Sequence, residues 1–168
     1  MTIHFGDGSS QTAAGLAGAG KVLQVVTVNK SNVFSTSSSW ADISGMSVSI
    51  TPASSSNHVV CCYSVNYGSA GGNVHCRVKL VRGSTDIAIG DADGSRTRLT
   101  GGGYNTDDFM RCVSGAYRDS PSTTSSVTYK LRACTQSNTI YINRNRHGDN
   151  AGYAIRGHSC LTLMEVSG

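Results

Sequence analysis

From Lys21 onward the chain alternates apolar and polar residues with a period of two. KVLQVVTVN opens the pattern at 21–29. In MSVSIT, Met46, Val48 and Ile50 fall on one face and Ser47, Ser49 and Thr51 on the other. VHCRVKLVR separates Val74, Cys76, Val78 and Leu80 from His75, Arg77 and Lys79. VTYKLRA sets Val127, Tyr129, Leu131 and Ala133 against Thr128, Lys130 and Arg132, and NTIYIN and SCLTLMEV close the series. Successive side chains of a strand point to opposite faces, so this alternation predicts half-buried antiparallel strands. Helical i, i+3, i+4 spacing is not sustained anywhere in the sequence.

Clusters of Pro, Gly, Ser, Asn and Asp punctuate the runs at 52–57, 68–73, 83–84, 101–103, 136–138 and 147–150. Val81–Asp86 reads as a hairpin around Gly83-Ser84, and Cys134–Thr139 reads as a second. The hydroxyl-rich stretch DSPSTTSS, 119–126, lies between two strand patterns and is too short and internal to separate domains. Pro121 fixes one φ angle and the hydroxyls cap the turn, so it predicts a simple connection. Eight to ten short strands with polar turns predict an all-β fold: an antiparallel β-sandwich, most economically a jelly roll.

Residues 1–20 are rich in Gly, Ala and Ser and have no period. They predict a short extended N-terminal arm, leaving 21–168 as the head domain. Ordering a residue costs about 1–2 kcal/mol of backbone entropy, which so little apolar surface does not offset. The arm is therefore expected to order only against a partner. Ile3 and Phe5 alternate with His4 and Gly6 and would add a strand to a partner's sheet edge.

Composition narrows the function classes. The chain carries 25 Ser and 15 Thr, and 14% of its residues are charged, so its surface is built of hydroxyls and amides rather than ion pairs. A net charge of +4 is spread without a basic run, which argues against a nucleic-acid partner. No apolar run approaches the length of a membrane span, and the N-terminus lacks the regions of a signal peptide. The six cysteines form no CxxC pair, Cys61 and Cys62 are adjacent, and the others sit inside strand patterns. All six are expected as buried free thiols, with no zinc site.

Catalytic and cofactor signals are weak. GLAGAGKV, 15–22, approaches a phosphate-binding loop but ends in Val22 and opens a strand rather than a helix. There is no G-x-S-x-G elbow, and the five histidines show no ligand spacing. Asp91-Ala92-Asp93-Gly94 has the start of a calcium loop without its later ligands. No catalytic residue, metal or cofactor is expected. Two stretches have the make-up of contact loops, although ordinary polar loops share that make-up and are the commoner case. These are GGGYNTDDF, with Tyr104, Asp107 and Asp108, and RNRHGDNAGY, with Arg144, Arg146, His147 and Tyr153.

Several segments resemble one family. GKVLQVV at 20–26, SVSITP at 47–52, VRGST at 81–85, DSPSTTSSVTYKL at 119–131, SNTIYINR at 137–144 and LTLMEV at 161–166 are similar to the C-terminal β-domains of tailed-phage virion proteins. IHFGDGSSQTAA, 3–14, resembles the F-x-D-G-S-x-Q-T segment that opens many phage fibre proteins. The resemblance spans nearly the whole chain. It implies a compact jelly-roll head like the tumour-necrosis-factor and complement globular-head modules, which are homotrimeric. It also implies a non-enzymatic virion protein, assembled in the host cytoplasm, whose residues 1–20 engage another virion protein and whose loops contact a host glycan or protein. Capsid decoration is the alternative. A carbohydrate-cleaving tailspike ranks lower, since spikes usually need a longer β-solenoid. The terminal strand is apolar on both faces, with Leu161 and Leu163 against Cys160, Met164 and Val166. One side suits a core and the other a subunit interface, so Leu161, Leu163, Met164 and Val166 are the expected trimer residues.

Overall fold

Alternation along each strand divides its side chains between two faces, and the apolar faces of two antiparallel sheets close on each other. The computed structural model describes residues 2–4, 6, 10–12, 20–37, 39–71, 74–105 and 108–168, with backbone alone at 2–4 and 10–12. In the arm, β1 (Thr2–His4) pairs with β2 (Ser10–Thr12). The strand carrying Ile3 thus uses one edge on Gln11 within the arm itself. Phe5 lies outside the described residues.

The first sheet centres on β6 (His58–Ser69). One edge of β6 is taken by β13 (Ser159–Val166) and then β12 (Ile140–Ile142), the other by β10 (Arg111–Asp119). Beyond β13 lies β3 (Val22–Lys30), and beyond β12 lies β4 (Phe34–Thr36). In the second sheet β11 (Val127–Thr135) sits between β5 (Ala41–Ile50) and β7 (Val74–Arg82). The far edge of β7 holds β8 (Thr85–Ile87) and β9 (Gly101–Asn105). The long strands change sheet repeatedly along the chain, in the order of a jelly roll. All described strand pairs are antiparallel, and no described residue is helical.

The inward sets form one core. Ile43, Met46, Ile50, Val74, Cys76, Val78, Leu80, Tyr129, Leu131 and Ala133 from the second sheet meet Val59, Cys61, Val65, Tyr67, Val113, Ile140, Ile142, Leu161 and Leu163 from the first. Each fully buried aliphatic side chain contributes about 1.5–3 kcal/mol. Ile43 and Met46 are three apart, so plain alternation would place them on opposite faces. A register irregularity opposite Lys130–Arg132, with Gly45 at φ 79°, returns both to the core.

Two polar clasps close one end. Asp119 on β10 is buried and accepts both contacts of Arg82 Nη1 (2.9 Å each) and the Tyr129 hydroxyl (2.6 Å). It therefore ties the first sheet to β7 and β11 of the second. Glu165, 1% exposed, accepts from Gln24 Nε2 (2.6 Å), Asn57 Nδ2 (2.6 Å) and the Ala53 backbone N–H (2.7 Å). Burial works to raise its pKa, but hydrogen bonds from Gln24 and Asn57, and from the backbone at Ala53 and Ser54, hold it below the ordinary glutamate range.

Most expectations about connections hold. Gly83-Ser84 turns a hairpin from β7 to β8, and residues 120–126 join β10 to β11 across the sheets. The second expected hairpin does not form. After Thr135 the chain leaves the second sheet, and β12 pairs with β4 and β6 instead. The Thr135 hydroxyl bonds to Ser137 O (2.6 Å) and accepts its N–H (3.2 Å), and Asn138 takes φ 63°, which turns the chain toward the other sheet.

All six cysteines are free thiols, but they are not equally buried. Cys61, Cys76 and Cys134 are interior, Cys62 and Cys160 half-buried, and Cys112 exposed on the edge strand β10. Burial pushes the Cys61 and Cys76 thiols up to about 12, away from the reactive thiolate. In native protein a thiol reagent should modify Cys112 first and leave Cys61, Cys76 and Cys134 unmodified until denaturant is added. Peptide mapping of the labelled protein checks this order. A second expectation concerns acid. The depressed Glu165 pKa contributes stability above the unfolded value near 4.5, and that contribution is lost as pH falls through the folded value. Glu165→Gln should cost about 1–3 kcal/mol at pH 7 and flatten the fall in stability below pH ~4.5, measured by denaturant titration at several pH values.

Candidate functional site

The segment 143–158 between β12 and β13 is built on two buried asparagines. Asn143, at φ 65°, donates from Nδ2 to Lys30 O (2.7 Å) and accepts from Ser159 Oγ (2.6 Å). Asn145 donates from Nδ2 to Tyr153 O (3.0 Å) and Asp108 O (3.3 Å), and accepts from the Ile155 N–H (3.1 Å). This one amide joins the 143–158 loop to the turn after β9. The loop lies so close to β6 that a Cβ on Gly68 would stand 2.5 Å from Arg144 O. A bridge between Arg144 and Arg156 pairs its two arms.

On that frame sits an ionic and aromatic cluster. Asp108 Oδ1 meets Arg146 Nε at 3.2 Å and His147 Nε2 at 3.0 Å. The other side of His147 faces Asp149 (3.8 Å), and its ring packs edge-on against Tyr153 at 4.6 Å. The Tyr153 hydroxyl donates to Asp149 (2.7 Å), which lowers the Asp149 pKa and raises that of Tyr153. On the same two loops Phe109, Tyr153 and Ile155 are 64%, 59% and 44% exposed.

The fold thus gathers Asp108, Arg146, His147 and Tyr153 and adds Asp149, Phe109 and Ile155. Asn143 and Asn145, which frame the cluster, look like ordinary turn residues in the sequence and carry no signal there. Arg144 turns aside, its guanidinium 3.7 Å from the centre of the Tyr141 ring. Tyr104 belongs elsewhere, on the outward face of the second sheet with its ring 4.8 Å from His75. Asp107 lies outside the described residues. Among the described residues His147 contacts the Asp108 and Asp149 carboxylates and the Tyr153 ring. No group of three or more His, Cys, Asp or Glu among the described residues is placed to hold a metal.

The terminal strand departs from its expected role in one respect. Leu161 and Leu163 are fully buried in the sandwich core, so they have no surface to offer a subunit partner. The opposite face, with Cys160, Met164 and Val166, is half-buried and points outward. Register places Met164 between Val25 of β3 and Val60 of β6, and Val166 beside Val22 and His58. Val22, Leu23 and Val25 are 49%, 43% and 55% exposed. Sequence periodicity marks Val25 only as a strand residue, because cross-strand neighbours are invisible to it.

No protein-family model matches the chain, and no curated protein is similar to it. Among solved structures, those of the Gt and Gx strains of infectious bursal disease virus align over 85% of this chain at 11% and 12% identity, both with a TM-score of 0.46. A crystal structure of the T13 particle of that virus aligns over 85% at 12% identity, with a TM-score of 0.41. The matched region covers 40%, 38% and 37% of those chains. Likeness at this level decides nothing about role, which rests on the residues themselves.

The cluster's ion pairs are exposed, and such pairs contribute little to stability. Asp108→Asn should therefore leave the thermal midpoint within about 1–2 °C of the parent while releasing the Arg146 and His147 side chains. Calorimetry checks the midpoint, and the histidine ring resonances in NMR check the release.

Proposed function

We propose that the chain is a non-enzymatic structural protein of a bacteriophage virion, a trimeric fibre or knob head. On this reading residues 1–20 anchor it to another virion protein, and its loop end faces the host. The segments that resemble phage virion β-domains suggest the class, and the jelly-roll head agrees with what that resemblance implies. The observation that carries the assembly is the outward face of the first sheet. Its rows run Val25–Met164–Val60–Arg118 and Thr27–Thr162–Cys62–Ala116, followed by Asn29–Cys160–Ser64–Ser114. One end is apolar, the rest is small and uncharged, and Arg118 is the sole formal charge in these rows. A flat face with few charges is costly to hydrate and readily packed against a copy of itself. On this reading Met164 and Val166 carry the interface, joined by Val25 and Val60, while the burial of Leu161 and Leu163 leaves them out of it.

The loop end supports the host-contact half of the reading. Phe109, Tyr153 and Ile155 stand exposed on the same two loops as Asp108, Arg146 and His147, an aromatic and ionic mixture typical of recognition surfaces.

Sedimentation of the full chain at micromolar concentration should give a trimer. Met164→Asp should raise its dissociation constant at least about 100-fold without unfolding the head. A monomeric parent protein would end the assembly reading. Deletion of 1–20 should leave the trimer intact and abolish incorporation into particles. Tyr153→Ala should incorporate normally and lower adsorption. Normal adsorption by that variant, together with fragile particles when the protein is absent, would assign capsid decoration instead.

A further inference from the structure

The outward face of the second sheet has a different chemistry from that of the first. Its exposed-side positions on β7 and β11 are basic: Arg77 and Lys79 on one strand, Lys130 and Arg132 on the next, with Arg132 directly opposite Lys79. Two carboxylates share the face. Asp42 pairs with Lys130 (2.7 Å) and Arg132 (2.9 Å), and Asp86 pairs with Lys79 (2.5 Å). Four cations therefore meet two anions. Among the described residues Arg77 has no carboxylate partner; its guanidinium lies 3.4 Å from the Gln136 side-chain oxygen and close to the Cys134 thiol.

Arg77 also stands between small cross-strand neighbours. Its cross-strand neighbours are Gly102 on β9 and the buried Cys134 on β11, neither of which raises a bulky side chain beside it. Residues two apart on a strand are separated by about 6.6 Å, so Arg77 is flanked along β7 by His75 on one side and Lys79 on the other. Tyr104, 45% exposed, packs its ring against His75, and Trp40 lies under the Lys79 ammonium at 4.6 Å. Among the described residues, then, a guanidinium without a carboxylate partner has on either side along β7 a residue that packs against an aromatic ring.

The geometry points to this face as a binding site for an acidic polysaccharide. A sugar ring presents a C–H face that stacks on an aromatic ring and hydroxyls that donate to carboxylates such as Asp42 and Asp86. A uronate carboxylate matches the planar fork of Arg77, and flanking cations hold the next charges along the polymer. The two aspartates favour this class over a DNA strand, because the hydroxyls of a uronate polymer can donate to them, whereas a phosphodiester backbone offers no donor on its charged edge. The open face suits a long polymer that gains affinity from repeated weak contacts. This assignment does not depend on the virion reading or on the oligomeric state.

Affinity electrophoresis of the full-length protein tests it, with polygalacturonate, neutral dextran or polydeoxythymidine in the gel. Polygalacturonate should retard the protein and dextran should not, and the retardation should fall as salt is raised. Arg77→Gln and Tyr104→Ala should each weaken binding about tenfold. Arg98→Gln, a cation on the 88–100 loop, should leave it unchanged. Thermal melts of each variant establish that the fold is retained. Absence of retardation by polygalacturonate, or an unaltered affinity in folded Arg77→Gln, overturns the proposal. Equal or tighter binding of polydeoxythymidine through Arg77 overturns it in favour of nucleic acid.

Discussion

Everything in this head depends on two sheets sharing a single apolar layer, because neither sheet has any other cover for its inward face. Leu161 and Leu163 of the first sheet are dry only because Leu131, Tyr129 and Met46 of the second close over the same space. That requirement sets register. A slip of one residue on β13 would bring Met164 and Val166 inward and expose both leucines together with the bonds of Glu165. The clasps at Asp119 and Glu165 reinforce the same register. Each buries a carboxylate whose partners come from other strands or loops, and a slipped strand would leave that charge without them.

Once the inward positions are committed to the core, the outward positions are free to differ, and they do. The first sheet turns out valines, a methionine, threonines, serines and half-buried thiols, while the second turns out arginines, lysines and aromatic rings. A single net charge of +4 conceals this division. A low-charge face is suited to lie against another protein surface, whereas a charged one keeps its hydration and meets a hydrated partner. Two proposed roles, self-association and glycan binding, therefore occupy opposite sides of one sandwich without competing for residues.

The loop end adds a third surface of another kind. It is held by backbone and amide bonds through Asn143 and Asn145, so its exposed groups are positioned without belonging to the core. Side chains there are free to vary while the frame stays, the usual arrangement for recognition loops on a rigid scaffold.

Alternation in the sequence by itself determined β3, β7, β11, β12, β13 and the second half of β5, the inward set of most of them, the β7–β8 turn and the crossing at 120–126, but it left the central strand β6 unread. These follow from local geometry, since the faces of a strand are decided by successive peptide units. Only the tertiary structure decided which strands lie side by side. Gln24 reaches Glu165 across 141 residues, and no local pattern encodes such a pairing. The same reason explains the departures. Gly45 restores Ile43 to the core because the opposite strand demands it, and β12 joins β6 rather than β11 because that edge of the first sheet is open. The two candidate loops were legible as composition, but the meeting of their residues was not. Asp108, Arg146 and His147 meet because Asn145 bridges two loops, while Tyr104, read in the same stretch as Asp108, is carried by strand alternation to another face. The basic face of β7 and β11 was written in the polar half of two alternating patterns. It became one surface only when register set Arg132 beside Lys79 and left Arg77 between a glycine and a buried cysteine.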